Sequence, residues 1–110
     1  MKSRSFTLVA LLLLATTVTI AAAKSHTYVG EVSDSMCGAK HMMADKAACT
    51  RACIQKGSNY ALVVGDKVYT LQTSKKADLD ELNTLAGEKA KVTGTANGDT
   101  IAVSRVAAAK

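Results

Sequence analysis

The sequence predicts a mainly β domain. Five strands are expected to form an OB-like closed barrel or a strongly bent sheet, with one cysteine-bearing helical insertion between strands 1 and 2 and a short helix between strands 3 and 4. Short runs of β-forming residues alternate with polar or small residues. Two turn signals, Gly65-Asp66 and Asn97-Gly98, each separate a pair of such runs. The two longer connections carry Ala-rich and Leu-rich segments with helical spacing.

The individual elements follow from the same patterns. The predicted helix at 46–56 has Asp45 as its cap and Gly57 beyond its end. A second helix starts at Asp78, in a capping-box-like sequence, and places Leu79, Leu82 and Leu85 on one face. The five strands are predicted at 27–32, 60–64, 67–71, 89–95 and 100–106.

The first 23 residues have the pattern of a signal peptide. Lys2 and Arg4 precede an apolar stretch, and Ala21-Ala22-Ala23 forms a small-residue cleavage site. The apolar run falls short of the roughly 20 residues that a transmembrane helix needs, which disfavours an uncleaved anchor and stable membrane insertion after cleavage. The prediction is cleavage after Ala23, a single domain at 24–110, and a periplasmic or secreted location.

The charge balance argues against a nucleic-acid partner. The chain carries 14 basic and nine acidic residues, and removal of the leader would take away two basic residues, leaving a net charge of +3. Clustered Lys and Arg beside stacking aromatic residues, which single-strand binders use, are not found in the sequence after residue 23.

The candidate metal-binding residues lie in an insertion at 33–57. They are Cys37, His41, Cys49 and Cys53. The spacing is Cys-x3-His followed by Cys-x3-Cys, and side chains at i and i+4 lie on one side of a helical segment. Three thiolates and one imidazole are a common tetrahedral zinc ligand set. Thiolates near methionines also suit cuprous copper. The predicted metal ligands are therefore these four residues, and the predicted ion is Zn or Cu.

A disulfide is the competing prediction, because exported proteins fold in an oxidising compartment. Cys37 with Cys49 or Cys53 would staple the insertion and leave one thiol unpaired. The nearby methionines have a structural interpretation: Met42 and Met43 would fill the gap between the insertion and the barrel.

Two segments carry a family resemblance. The sequence LAGEKAKVTGT at 85–95, followed by GDTIAV at 98–103, resembles the helix exit and final hairpin of bacterial OB-fold proteins exported to the periplasm. Together with the DSMCG sequence at 34–38 and the other Cys and His residues, the chain also resembles small exported bacterial proteins grouped as domains of unknown function. The resemblance implies an OB-like barrel, whose first connecting loop lies beside the ligand-binding face, and it implies no particular activity.

The functional prediction is a small exported binding module that holds Zn or Cu through a cluster of three cysteines and one histidine. The first alternative is a metal-free, disulfide-stapled domain that binds an envelope protein partner. The second alternative is an envelope thiol-disulfide exchange protein. The sequence predicts no enzyme, since it has no Cys-x-x-Cys redox motif and no Gly-rich phosphate loop, and since no carboxylate pair can be placed in one cleft.

Overall fold

The computed structural model describes residues 24–109, so the predicted signal peptide lies outside the described residues. The described chain is mainly β, with five strands and two helices. In chain order the elements are β1 (His26–Asp34), α1 (Lys46–Gln55), β2 (Tyr60–Val64), β3 (Lys67–Gln72), α2 (Lys76–Thr84), β4 (Lys89–Asn97) and β5 (Thr100–Ala108). Neither helix has the length and apolar character that crossing a membrane requires, a finding that covers residues 24–109 only.

The five strands close into a ring in the order β1-β2-β3-β5-β4. Four of the pairings are antiparallel, and a parallel pairing of β3 with β5 completes the ring. The parallel contact is short, running from Thr70 opposite Thr100 to Gln72 opposite Ala102. The predicted five-stranded sheet is thereby confirmed.

The core fills the inside of the ring and extends under α2. Val32, Leu62, Val92 and Ile101 come from four different strands and are fully buried. Leu82 of α2 joins the same apolar cluster. Because alternate residues of a strand point to opposite faces, each strand contributes about every second residue to this cluster.

Strand β1 is longer than predicted because it has two partners. Its residues from His26 to Glu31 pair with β4, and those from Glu31 to Asp34 pair with β2. The changeover lies next to Gly30, where a Cβ atom would collide with the carbonyl oxygen of Val63. Only glycine therefore lets β1 bend this closely over β2.

Both predicted hairpins are present. Gly65-Asp66 joins β2 to β3, and Gly65 has a φ of 58°. The second turn differs from the prediction: it consists of Gly98-Asp99 rather than Asn97-Gly98, and Asn97 pairs directly with Thr100. In both turns the first central residue has positive φ and the second does not, as a type II′ turn requires.

Helix α2 begins two residues before the predicted start. Asp78 lies within its first turn, where its carboxylate accepts a hydrogen bond from the Thr73 hydroxyl at 3.1 Å. Lys75 occupies the N-cap position without a side-chain hydrogen bond. Leu82 and Leu85 are buried as predicted, but Leu79 is an exposed residue, so the apolar face is narrower than its leucine spacing indicates.

The substitution Gly30→Ala tests the close contact of β1 with β2. The added methyl group would force the two strands apart, and we expect a loss of about 3 kcal/mol in the free energy of unfolding, as for an overpacked core. Urea unfolding followed by circular dichroism measures it. Gly98→Ala is the control: it adds a methyl group in open space at a positive φ, and we expect a smaller loss, of about 1 kcal/mol. An equal or smaller effect at Gly30 would contradict the described packing.

Candidate metal centre

Three cysteine sulfurs lie together at the end of β1. The Sγ atom of Cys37 is 3.8 Å from that of Cys49 and 3.7 Å from that of Cys53. All three sulfurs lie within 4.8 Å of one another. Cys49 is buried and the other two are half-buried, so the group lies just below the surface. These are distances between contacting thiols, because a disulfide bond is only about 2.05 Å long.

Helix α1 supplies two of the three thiols. Cys49 and Cys53 are four residues apart, so they lie one above the other on the same face. Asp45 caps the helix, and its Oδ1 accepts a hydrogen bond from the Ala48 amide at 3.2 Å. The helix is docked by Arg51, whose guanidinium donates two hydrogen bonds to the carbonyl oxygen of Asn83 near the end of α2.

The third thiol sits on a tight turn directly after β1. The buried carboxylate of Asp34 accepts hydrogen bonds through Oδ2 from the amides of Met36, at 3.0 Å, and Cys37, at 2.9 Å. The Ser33 hydroxyl donates to the carbonyl of Gly38 at 2.6 Å, which holds the other side of the turn. This is an Asx-type turn, and it fixes Cys37 opposite α1.

His41, the fourth predicted ligand, lies beside this group without belonging to it. Its Nε2 is 3.2 Å from Oε1 of Glu31, and Oε2 of Glu31 accepts a hydrogen bond from Lys46 at 3.0 Å. The imidazole is almost buried, with 6% of its side chain exposed. Its Nδ1 forms no hydrogen bond within residues 24–109. The structure thus brings three of the four predicted residues together and places the fourth next to Cys49 with a free ring nitrogen.

Glu31 was not among the predicted site residues. In the sequence it appears as a solvent-facing position of a strand, and no spacing rule connects it with His41 ten residues later. Its role becomes visible only because the 35–45 loop folds back over β1.

Polar atoms that are buried without a partner concentrate near the thiols. Within the described part of the chain they are Oδ1 of Asp34, Nδ1 of His41 and Oγ1 of Thr50. Asp34 holds the Cys37 turn, and Thr50 follows Cys49 in α1. Buried polar groups nearly always have a hydrogen-bond partner or bind an ion or a water molecule. Among the described residues, the insertion and the end of β1 are therefore where buried side-chain polar atoms lack hydrogen-bond partners.

The thiols have very different proton affinities. The backbone amide of Met43, followed by the His41 imidazole, lowers the pKa of Cys49 to about 7. Burial, followed by a hydrogen bond with Cys37, raises the pKa of Cys53 to about 12. In its metal-free form the cluster therefore holds one readily formed thiolate, which is the form that binds metals and attacks electrophiles.

The packing interpretation of the methionines is wrong. Met42 is 92% exposed and Met43 is 49% exposed, so neither fills a gap between the insertion and the sheet. Met36 is also exposed, at 67%. The insertion is held to the rest of the fold by other contacts: Lys46 bonds to Glu31, Arg51 bonds to Asn83, and Gly87 packs tightly against α1.

The lowered pKa of Cys49 predicts how the metal-free, reduced protein titrates. Because this pKa of about 7 lies below the ordinary value of 9.0, one thiolate should form as the pH rises through 7. The measurement is the ultraviolet absorbance of thiolate across the neutral pH range. Cys49→Ser should remove this step and Cys53→Ser should keep it. A first thiolate that forms only at the ordinary thiol pKa would contradict the described surroundings of Cys49.

Comparisons with protein-family models, with curated proteins and with solved structures found no match to this chain. The chemistry of the site is therefore inferred from its own thiols, imidazole and carboxylates.

Proposed function

We propose that the protein is a small exported binding module that holds one soft or borderline transition metal ion, Zn or Cu, at Cys37, Cys49 and Cys53. One observation carries the proposal: three sulfurs from two separate segments lie together, with Cys37 at 3.7 and 3.8 Å from the other two. The proposal assigns no catalytic step to the site.

The sulfur spacing supports a metal centre because it matches the geometry of a thiolate-bound ion. A tetrahedral site with Zn–S bonds of about 2.3 Å has sulfurs about 3.8 Å apart along each edge. The thiols already approach this spacing, so little reorganisation of α1 and the Cys37 turn would be needed on binding. Pre-organised ligands raise affinity because less ordering has to accompany binding.

His41 is proposed as the fourth ligand, through Nδ1. Metal-binding histidines usually donate the N–H of the other ring nitrogen to a carboxylate, which fixes the tautomer and the ring orientation. Glu31 is in this position relative to Nε2, and Lys46 holds Glu31 in turn. The buried Nδ1 is then the nitrogen with a free lone pair. A small displacement of the 35–45 loop would bring it to the ion beside Cys49.

Export and the finer description of the fold are part of the proposal. The leader pattern at residues 1–23 supports export, and a bound ion would protect three thiols in an oxidising compartment. The closed strand order supports an OB-like barrel, with the insertion beside its ligand-binding edge.

Closure of the ring is tested by nuclear Overhauser contacts between β3 and β5. We expect contacts in parallel register, from Thr70 opposite Thr100 to Gln72 opposite Ala102, and their absence would contradict a closed ring.

The central test is the mass and thiol content of the protein purified from the envelope of an exporting host. We expect a native mass excess equal to one metal ion over a chain that starts at Lys24, and three alkylatable thiols after unfolding. A mass deficit of two protons with one free thiol would overturn the proposal in favour of a disulfide-stapled interaction domain. Trapped mixed disulfides with other envelope proteins would instead favour thiol exchange.

The ligand set is tested by cobalt substitution, because Co(II) bound to thiolates gives charge-transfer bands whose intensity follows the number of sulfur ligands. Serine substitution of Cys37, Cys49 or Cys53 should each weaken the bands and the affinity. Ser35→Ala is the control, because the exposed hydroxyl of Ser35 bonds only Ser58 and its removal leaves every thiol in place. Equal bands in a cysteine variant and in Ser35→Ala would contradict the site.

The role of the carboxylate is tested by Glu31→Gln. This change keeps the side-chain shape but removes the charge that orients His41. Zn affinity should therefore fall about 10- to 100-fold, as it does when other hydrogen-bond partners of metal ligands are removed. Competition with a chromophoric chelator measures the affinity. Glu88→Gln is the matched control at an exposed glutamate. If the two variants bind Zn equally well, His41 is not held for coordination by Glu31.

A further inference from the structure

The methionines of this chain are unusually placed. Apart from Met1, the sequence has three, and all of them lie in the segment from Met36 to Met43. They make up three of the five large hydrophobic side chains that are exposed within residues 24–109. Methionine is among the residues most often found inside proteins, so this degree of exposure calls for a reason.

The backbone of this segment is held at the thiol cluster while its side chains face solvent. The Met36 amide donates to Asp34 and directly precedes Cys37, whose sulfur contacts both other thiols. At the other end of the segment, the backbone amide of Met43 acts on the Cys49 sulfur. The thioethers are thus attached to the same short loop that covers the cluster, and they are reachable from outside.

Thioether sulfur is a selective ligand. It is neutral and soft, so it binds Cu(I) and similar monovalent ions, whereas Zn prefers thiolate, imidazole and carboxylate. An ion held by thioethers alone is bound more weakly than one held by anionic thiolates. A soft ion that binds first at the exposed thioethers would therefore move inward to the cysteines, because their thiolates bind it more strongly.

We propose that Met36, Met42 and Met43 form a loading site for a soft monovalent cation, with Cu(I) as the natural ion, which then passes to Cys37, Cys49 and Cys53. This inference rests on the proposed function of the cysteines and specifies the kind of ion. During transfer the bonds from methionine sulfur to the ion break and bonds to cysteine sulfur form. The ion keeps its single positive charge, each thiol that becomes a ligand releases its proton to solvent, and no electron is transferred.

Ag(I) is the probe, since it has the same charge and softness and does not change oxidation state. The triple variant Met36→Leu, Met42→Leu and Met43→Leu keeps three apolar side chains of similar volume at exposed positions and removes the thioether sulfurs, so folding should be retained. Stopped-flow absorbance of the silver-thiolate chromophore gives the uptake rate at the cysteines. We expect Ag(I) uptake to be several-fold slower, because the ion would then have to reach the thiols without first binding at the thioethers, and we expect the final occupancy to be unchanged. The rate of Zn uptake should stay the same in both proteins.

A second measurement observes the thioethers directly. With methyl-labelled methionine, the combined variant Cys37→Ser, Cys49→Ser and Cys53→Ser should show shifts of the three loop methyl signals on Ag(I) addition and none on Zn addition. The loading site would be overturned if the leucine variant took up Ag(I) as fast as the wild-type protein. It would also be overturned if the methionine methyl signals did not shift on addition of Ag(I). The proposed function is tested separately, by Zn or Co(II) binding to the wild-type protein. If that binding occurs while the methionine results are negative, only the loading site is wrong. If the wild-type protein binds neither ion, the cysteine site itself is wrong.

Discussion

The pairing of β1 with two neighbours is the constraint on which the rest of the structure depends. One nine-residue strand is hydrogen-bonded to β4 over its first part and to β2 over its last part. The change of partner beside Gly30 closes the ring and brings the end of the strand inside the protein. Asp34, the last residue of β1, is fully buried as a result. A carboxylate in that position must find hydrogen-bond donors, and the amides of the following turn provide them.

The candidate site follows from that buried strand end. The Asp34 turn holds Cys37, the Glu31 carboxylate from the same strand holds His41, and Lys46 links Glu31 to the start of α1. Helix α1 is in turn packed so closely on the loop before β4 that Gly87 has no room for a side chain. The Cys37 turn, His41 and α1 are therefore each held in place by separate contacts. Such separate anchoring lets three thiols converge without a regular sequence motif.

The electrostatics of the insertion explain why a metal would stabilise it. A buried carboxylate and three thiols share a small volume. Burial and the neighbouring sulfur raise the pKa of Cys53 most, and the Asp34 charge adds to them. A cation at the sulfurs would reverse this effect, because a positive ion favours the deprotonated form of every neighbouring thiol. Metal binding and thiol deprotonation would then be one coupled process.

Local patterns determined much of the fold. The alternation in the strands and the turn signals Gly65-Asp66 and Asn97-Gly98 specify the hairpins within a residue or two, since strand period and turn conformation depend on neighbouring residues. The Cys-x3-Cys spacing likewise puts two thiols on one helix face. Tertiary structure decided the true length of β1, the start of α2, the exposure of Met42, and the partnership of Glu31 with His41. The reason is that these features depend on contacts that no local pattern encodes: ring closure adds residues to the ends of β1, and the loop turns His41 toward Glu31 while its methionines stay exposed.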